Sequence, residues 1–212
     1  MRNSIRCPLC YAPSEAPSFK SLERFFYQCH TCALLFLDPK HHLDPMEEKS
    51  RYEEHNNDVG DIRYQDFVRP LFLEITSRLG ADKRGLDFGA GTGPVLTHLL
   101  KTTGYKISIY DPFFHPDQAA LKKTYDFVFA TEVVEHFFQP QKEFSLLTNL
   151  TEDHLFLMTL LYTEETRLSS WYYLRDPTHV CAYAEKTFQW IQKHFGYSHL
   201  EFRGPRTIIL KK

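Results

Sequence analysis

The chain has 212 residues, enough for one ordinary domain plus a small appendage and too few for two full domains. With 42% hydrophobic and 25% charged residues it sits inside the globular range, which excludes wholesale disorder. Its 25 Lys and Arg stand against 27 Asp and Glu, a formal net charge of -2 that excludes a global attraction to phosphate backbones or anionic lipid; a nucleic-acid partner would need a local patch.

Residues 1–38 hold four of the five cysteines in two pairs, Cys7-Pro-Leu-Cys10 and Cys29-His-Thr-Cys32, with 18 residues between. Each Cys-X2-Cys turn lets two thiolates point at one ion, and two turns complete the shell of a four-cysteine zinc site. Phe19, Leu22, Phe25, Phe26 and Tyr27 between the pairs predict a short strand pair too small to fold without such a staple. Four sulfur ligands leave no open position, so the expected Zn2+ is structural; a disulfide or redox pair is the alternative. No signal peptide is recognisable, and the longest apolar run, 155–162, is far short of the ~18 residues a bilayer requires. The expectation is a cytoplasmic chain with reduced cysteines and no membrane partner.

Residues 39–82 begin polar and carry Arg51-Tyr52-Glu53-Glu54-His55-Asn56-Asn57. This run reads either as a solvated connector or as a pocket cap in which Tyr52, His55, Asn56 and Asn57 meet a substrate. After Asp61, the spacing of Val68, Leu71, Phe72, Ile75 and Leu79 predicts a helix with one apolar face, with Pro70 in its first turn or kinking it.

From residue 83 onward, strand and helix patterns alternate. Strands are predicted at 85–88, 106–110, 125–130 and 155–160, helices at 95–100, 141–150 and 185–195, and two closing strands at 198–202 and 206–210. Thr151-Glu152-Asp153 reads as a polar turn. Such alternation implies an α/β fold: a doubly wound, mostly parallel sheet with helices on both faces and an antiparallel edge.

Between the first strand and its helix stands Gly89-Ala90-Gly91-Thr92-Gly93-Pro94. Glycines at alternate positions let the backbone approach a ligand and turn into a helix with free N–H groups. A dinucleotide fingerprint needs a third glycine five positions after the first, where Pro94 stands. Asp87, just before the loop, would repel a pyrophosphate but suits the ammonium of a methionine-like ligand. Asp111, ending the next strand, can accept from ribose hydroxyls. Together these residues favour S-adenosylmethionine.

The stretch Gly85 to Gly93, Asp111, and Tyr125-Asp126-Phe127-Val128 through Glu135-His136 resemble the successive motifs of class I S-adenosylmethionine-dependent methyltransferases, over roughly residues 83–212. Arg51-Tyr52 with 55–57, and Arg175-Asp176-Pro177-Thr178-His179-Val180, resemble a bacterial branch of that family that often carries an N-terminal cysteine-rich zinc element. The resemblance implies a Rossmann-like methyltransferase sheet. It places Asp87, Phe88, Gly89, Ala90, Gly91 and Gly93 at the methionine end of the cofactor, Asp111 at its ribose, and Thr131, Glu132 and Val133 beside its adenine or sulfonium. Pro112 and Phe113 are expected to wall the purine. Only 13 residues separate Asp111 from Tyr125, too few for the family's usual helix, strand and helix, so one strand should be missing and 118–123 should form a short helix.

For chemistry, His136 reads either as a base for the acceptor's proton or as the partner of Glu135 in orienting the loop. His179 is its rival, in a segment with Trp171, Tyr173 and Asp176 suited to roofing a substrate pocket. Cys181, flanked by Val180 and Ala182, reads as a packed small hydrophobe. The domain reading is thus a zinc ribbon (1–38), a helical connector and pocket cap (39–82) and a methyltransferase domain (83–212). The expected activity is methyl transfer to a small-molecule acceptor. An RNA base docked by the zinc ribbon, and a non-catalytic partner-binding module, are the alternatives; the oligomeric state is open.

Overall fold

The computed structural model describes residues 5–14, 16–54 and 58–212. In chain order the elements are β1 (Ile5–Arg6), β2 (Pro13–Ser14), β3 (Phe19–Ser21), β4 (Arg24–Gln28), β5 (Leu35–Leu37), α1 (Pro45–Glu53), α2 (Ile62–Arg78), β6 (Arg84–Phe88), α3 (Val95–Thr102) and β7 (Lys106–Tyr110). They continue as β8 (Tyr125–Thr131), α4 (Pro140–Leu150), β9 (Thr151–Met158), β10 (Cys181–Ala182), α5 (Glu185–Phe195), β11 (His199–Arg203) and β12 (Thr207–Lys211).

A six-stranded sheet in the order β11-β12-β9-β8-β6-β7 forms the centre. The β7, β6, β8 and β9 neighbours pair in parallel, and β11 and β12 close the edge antiparallel. This is the predicted doubly wound sheet, with six strands among the described residues. Between β7 and β8 only one 3-10 turn, Ala120–Lys122, takes the place of the expected short helix.

Both faces of the sheet are buried, as its apolar strands require. Along β8, Phe127 and Phe129 point to the side where Val68, Leu71 and Ile75 of α2 meet Val95 and Leu100 of α3. Val128 and Ala130 point to the other side, against Phe144 and Leu147 of α4 and Phe188 and Ile191 of α5. Pro70 lies inside α2 rather than in its first turn, so the helix runs through a residue that has no N–H to donate. A further correction concerns residues 151–153: they are the first residues of β9, not a turn, and Thr151 Oγ1 donates back to Leu147 O at the end of α4 (2.7 Å).

The N-terminal segment does not stand apart. Strands β3, β4 and β5 form a sheet whose fourth member is β10, with Phe36 opposite Cys181 and Leu35 opposite Ala182. Leu34 to Leu37 are buried in the same cluster as Phe137, Val180 and Tyr183. Cys181 is buried there as a packed residue, its thiol donating to Phe137 O (3.3 Å). Helix α1 begins at Asp44, whose side chain accepts from Met46 N and Glu47 N while Glu47 returns the bond to the Asp44 N–H.

Candidate active site

The glycine loop leaves β6 at the carboxyl edge of the sheet, where open α/β sheets bind ligands. Gly89 and Gly91 take φ of +79° and +61°, and a Cβ on Gly89 would lie 2.6 Å from the Val133 methyls. A Cβ on Gly91 would meet nothing within 4 Å, so that side of the loop borders open space. Asp111 holds the loop from the neighbouring strand: its Oδ2 accepts from Gly91 N (3.0 Å) and its Oδ1 from Phe113 N and Phe114 N (2.8 and 3.0 Å). Asp87 sits beneath, accepting from Thr97 Oγ1 of α3 (2.7 Å), and burial pushes its carboxyl up to about 7. Phe88 is buried against Tyr110 and Phe137, so its side chain belongs to the core, while Pro112 is exposed.

After β8 the chain turns sharply. Glu132 has φ +53° and takes both its oxygens to Arg206 (3.0 and 3.1 Å); burial and the neighbouring Glu135 push it up to about 8. Glu135 is fully buried, accepts from the Tyr173 hydroxyl, and is raised by that burial to about 7. His136 bonds Thr178 O through Nδ1 (3.0 Å), and its burial lowers its basicity. His179 bonds Tyr173 O through Nδ1 (2.6 Å).

The two histidines, predicted as rivals, are neighbours, with ring centroids 4.9 Å apart. An aromatic chain extends on both sides of them. Tyr52 of α1 meets the His136 ring edge-on at 5.2 Å and Phe113 at 5.8 Å, while Tyr173 lies tilted at 4.3 Å from His179 and meets Trp171 at 5.1 Å. Helix α1 is fixed over this cluster by Arg51, which bonds Asp176 Oδ2 (3.0 Å). Asp176 is half-buried, which opposes its ionisation, yet bonds from Thr178 and Arg51 hold its carboxyl far below the ordinary range. Arg24 of the N-terminal hairpin donates to the carbonyls of Leu174 and Asp176. Of the predicted substrate residues, Tyr52, Trp171, Tyr173 and Asp176 converge here; His55, Asn56 and Asn57 lie outside the described residues.

Thr97 and Arg206 escaped sequence reasoning, and Arg51 was legible only as part of a motif without its role, since each acts on a partner from a different element. Helix α1 had a local signal that went unread: Asp44-Pro45-Met46-Glu47 is a capping box with proline at the first helical position.

The four N-terminal cysteines come together as two matching turns. Cys7 N donates to Ala12 O and Tyr11 N to Cys7 O; Cys29 N donates to Leu34 O and Ala33 N to Cys29 O, all at 2.8 to 3.0 Å. Tyr11 and Ala33 both take positive φ, 59° and 58°. All four sulfurs lie within 4.8 Å of one another and none is in a disulfide. Such a group suits a tetrahedral ion with Zn–S bonds of about 2.3 Å.

No helix among the described residues is long and apolar enough to cross a membrane. A cavity of about 540 Å3 opens at the opposite, amino edge of the strands beside Lys101, Lys106 and Lys123, and none of the glycine-loop residues, Asp111, His136 or His179 lines it.

The family model described as a methyltransferase domain matches residues 61–201. No curated protein matches the sequence. Among solved structures the chain is similar to a 1,6-didemethyltoxoflavin-N1-methyltransferase from Burkholderia thailandensis with 1,6-didemethyltoxoflavin and S-adenosylhomocysteine bound. The two are 13% identical over 92% of this chain and 97% of that one, with a TM-score of 0.58. It is also similar to a SAM dependent methyltransferase from Archaeoglobus fulgidus, at 19% identity over 70% of this chain and 94% of that one, with a TM-score of 0.54. At these identities the likeness is one of fold.

Proposed function

The chain belongs to the methyltransferase-domain family and is an S-adenosylmethionine-dependent methyltransferase; from that premise we propose that it methylates a small-molecule acceptor held between the glycine loop and the two histidines. The main support is the placement of His136 and His179 side by side at the carboxyl edge, under Tyr52 and next to the loop that Asp111 holds. When bound, S-adenosylmethionine supplies a methyl carbon on positive sulfur: the carbon–sulfur bond breaks with its electron pair left on sulfur, and the acceptor takes the methyl and gives up its proton.

The residues present fit that ligand. Gly91 borders open space, and Asp111 spends three of its roughly four acceptor positions on N–H donors, which leaves one for a ribose hydroxyl. Asp87 supports the loop from below and carries negative charge toward the methionine ammonium above its raised value. Phe113 walls the purine, and Thr131, Glu132 and Val133 flank the sulfonium side. Tyr52, Trp171, Tyr173 and Asp176 bound the acceptor. His136 and His179 each keep Nδ1 on a backbone carbonyl, which directs the proton to Nδ1 and makes Nε2 the nitrogen able to take an acceptor's proton. Cys7, Cys10, Cys29 and Cys32 would hold a structural Zn2+ whose role is to fold the hairpin that supports the 171–179 segment.

Calorimetry with S-adenosylmethionine tests this reading. The unaltered protein should bind it, and Asp111→Ala should bind at least ~10-fold more weakly, the loss of about 1.4 kcal/mol or more expected for charged hydrogen bonds. Absence of heat with the unaltered protein would overturn it. Affinity for bulk RNA that falls steeply with salt would replace the small-molecule acceptor with a nucleic acid.

A further inference from the structure

Glu135 and His136 leave the sheet together after β8, and His179 arrives from the segment before β10. One ligand atom from each of the three lies within 4.8 Å of the other two. Glu135 is 0% exposed; one carboxylate oxygen accepts from Tyr173, and the other, Oε2, is buried with no hydrogen-bond partner. An unsatisfied buried carboxylate oxygen is costly, about 1 to 3 kcal/mol or more, and is rarely kept without a function. Both imidazoles are turned the same way. Each Nδ1 faces a carbonyl oxygen, Thr178 O for His136 and Tyr173 O for His179, and a carbonyl only accepts, so the proton resides on Nδ1 and Nε2 is the basic nitrogen. Metal-binding histidines carry this kind of outer hydrogen bond, which fixes both tautomer and ring direction. The outer layer is itself braced: Asp176 Oδ1 accepts from Thr178 N (2.9 Å) and Thr178 Oγ1 (2.6 Å), holding the turn that offers the Thr178 carbonyl.

We propose that Glu135, His136 and His179 form a second metal site, separate from the four cysteines, for a divalent transition ion. Two imidazoles and one carboxylate leave coordination positions open, as in catalytic zinc sites and in two-histidine, one-carboxylate sites. An acceptor that took one of those positions would be an oxygen nucleophile, a hydroxyl that binds the ion directly. The ion lowers the hydroxyl's pKa, its proton leaves to solvent, and the oxygen forms a bond to the methyl carbon as the carbon–sulfur bond breaks. The histidines then act jointly as ligands, and neither has to serve as the base. This inference rests on the methyltransferase reading above and specifies the acceptor side of the same site.

Mn2+ is the probe, because nitrogen and oxygen ligands take it readily and a four-thiolate site does not favour it. In the full-length, zinc-loaded protein, titration followed by electron paramagnetic resonance should reveal one bound Mn2+. His136→Asn and His179→Asn should each weaken it at least ~10-fold, as should Glu135→Gln. Because Glu135 is buried, circular dichroism and S-adenosylmethionine calorimetry accompany every variant; the half-buried His179 variant carries the test if Glu135→Gln fails to fold. If neither Mn2+ nor Zn2+ binds the unaltered protein more tightly than a His136→Asn/His179→Asn double variant, the metal site is wrong. In that event, intact S-adenosylmethionine binding would leave the methyltransferase reading standing, whereas its absence would remove that reading instead.

Discussion

Among the described residues two side-chain clusters are close enough to grip a cation, and they are assembled in opposite ways. The four cysteines come from two short turns with the same hydrogen-bond pattern, and their sulfurs would fill every position around a tetrahedral ion. Glu135, His136 and His179 come from the end of a central strand and a distant surface segment, offer nitrogen and oxygen, and complete no shell. Local assembly with soft ligands makes a fastener. Assembly from distant segments with hard, open ligands makes a place for chemistry.

The largest expected effect asks whether these two regions are independent. Zinc binding to small cysteine sites is worth on the order of 10 kcal/mol, so Cys29→Ser should unfold the N-terminal hairpins. Because β5 pairs with β10 and Arg24 grips the Leu174 and Asp176 carbonyls, hydrogen exchange should then accelerate across 174–182 as well, and Mn2+ affinity should drop. Unchanged protection of that segment would separate the two regions.

The second test uses pH, to which the regions should respond with opposite sign. Acid protonates thiolates and releases a cysteine-bound ion. At the sheet edge Asp87 titrates near 3.8 when unfolded but near 7 when buried, so its contribution is complete below the lower value and is lost as pH rises through the higher one. The effect is roughly 4 kcal/mol at its limit. The melting temperature of the zinc-loaded protein should therefore fall between about pH 4 and 7, and Asp87→Asn should flatten that slope; a slope that persists in the variant assigns it to another group.

The smallest effect sharpens the contrast. The Arg51–Asp176 bridge is partly exposed on the arginine side (36%), so Arg51→Ala should cost at most about 1 kcal/mol in stability. Its consequence should fall on acceptor KM, because the bridge fixes α1 and Tyr52 over His136.

What could be read from sequence follows the same division between local and distant assembly. The cysteine turns, the glycine loop, Asp111 and helix 185–195 are written in contiguous residues, and so were β6, β7 and β8 to within a residue at their ends. The two-residue strand β10 carries no periodicity at all; it exists only because Leu35 and Phe36 lie beside it. His136 and His179 both read as candidates, but as competitors, since nothing in a one-dimensional string says that 42 intervening residues bring their rings to 4.9 Å. The missed helix α1 is different: its capping box was legible, and its polar composition obscured it.

The pairing of β5 with β10 has a consequence for biosynthesis. Leu35, Phe36 and Leu37 emerge from the ribosome well before their partner strand Cys181–Ala182 has been made. Until it arrives that apolar ribbon has an unpaired edge, the kind that recruits chaperones or sticks to another nascent chain.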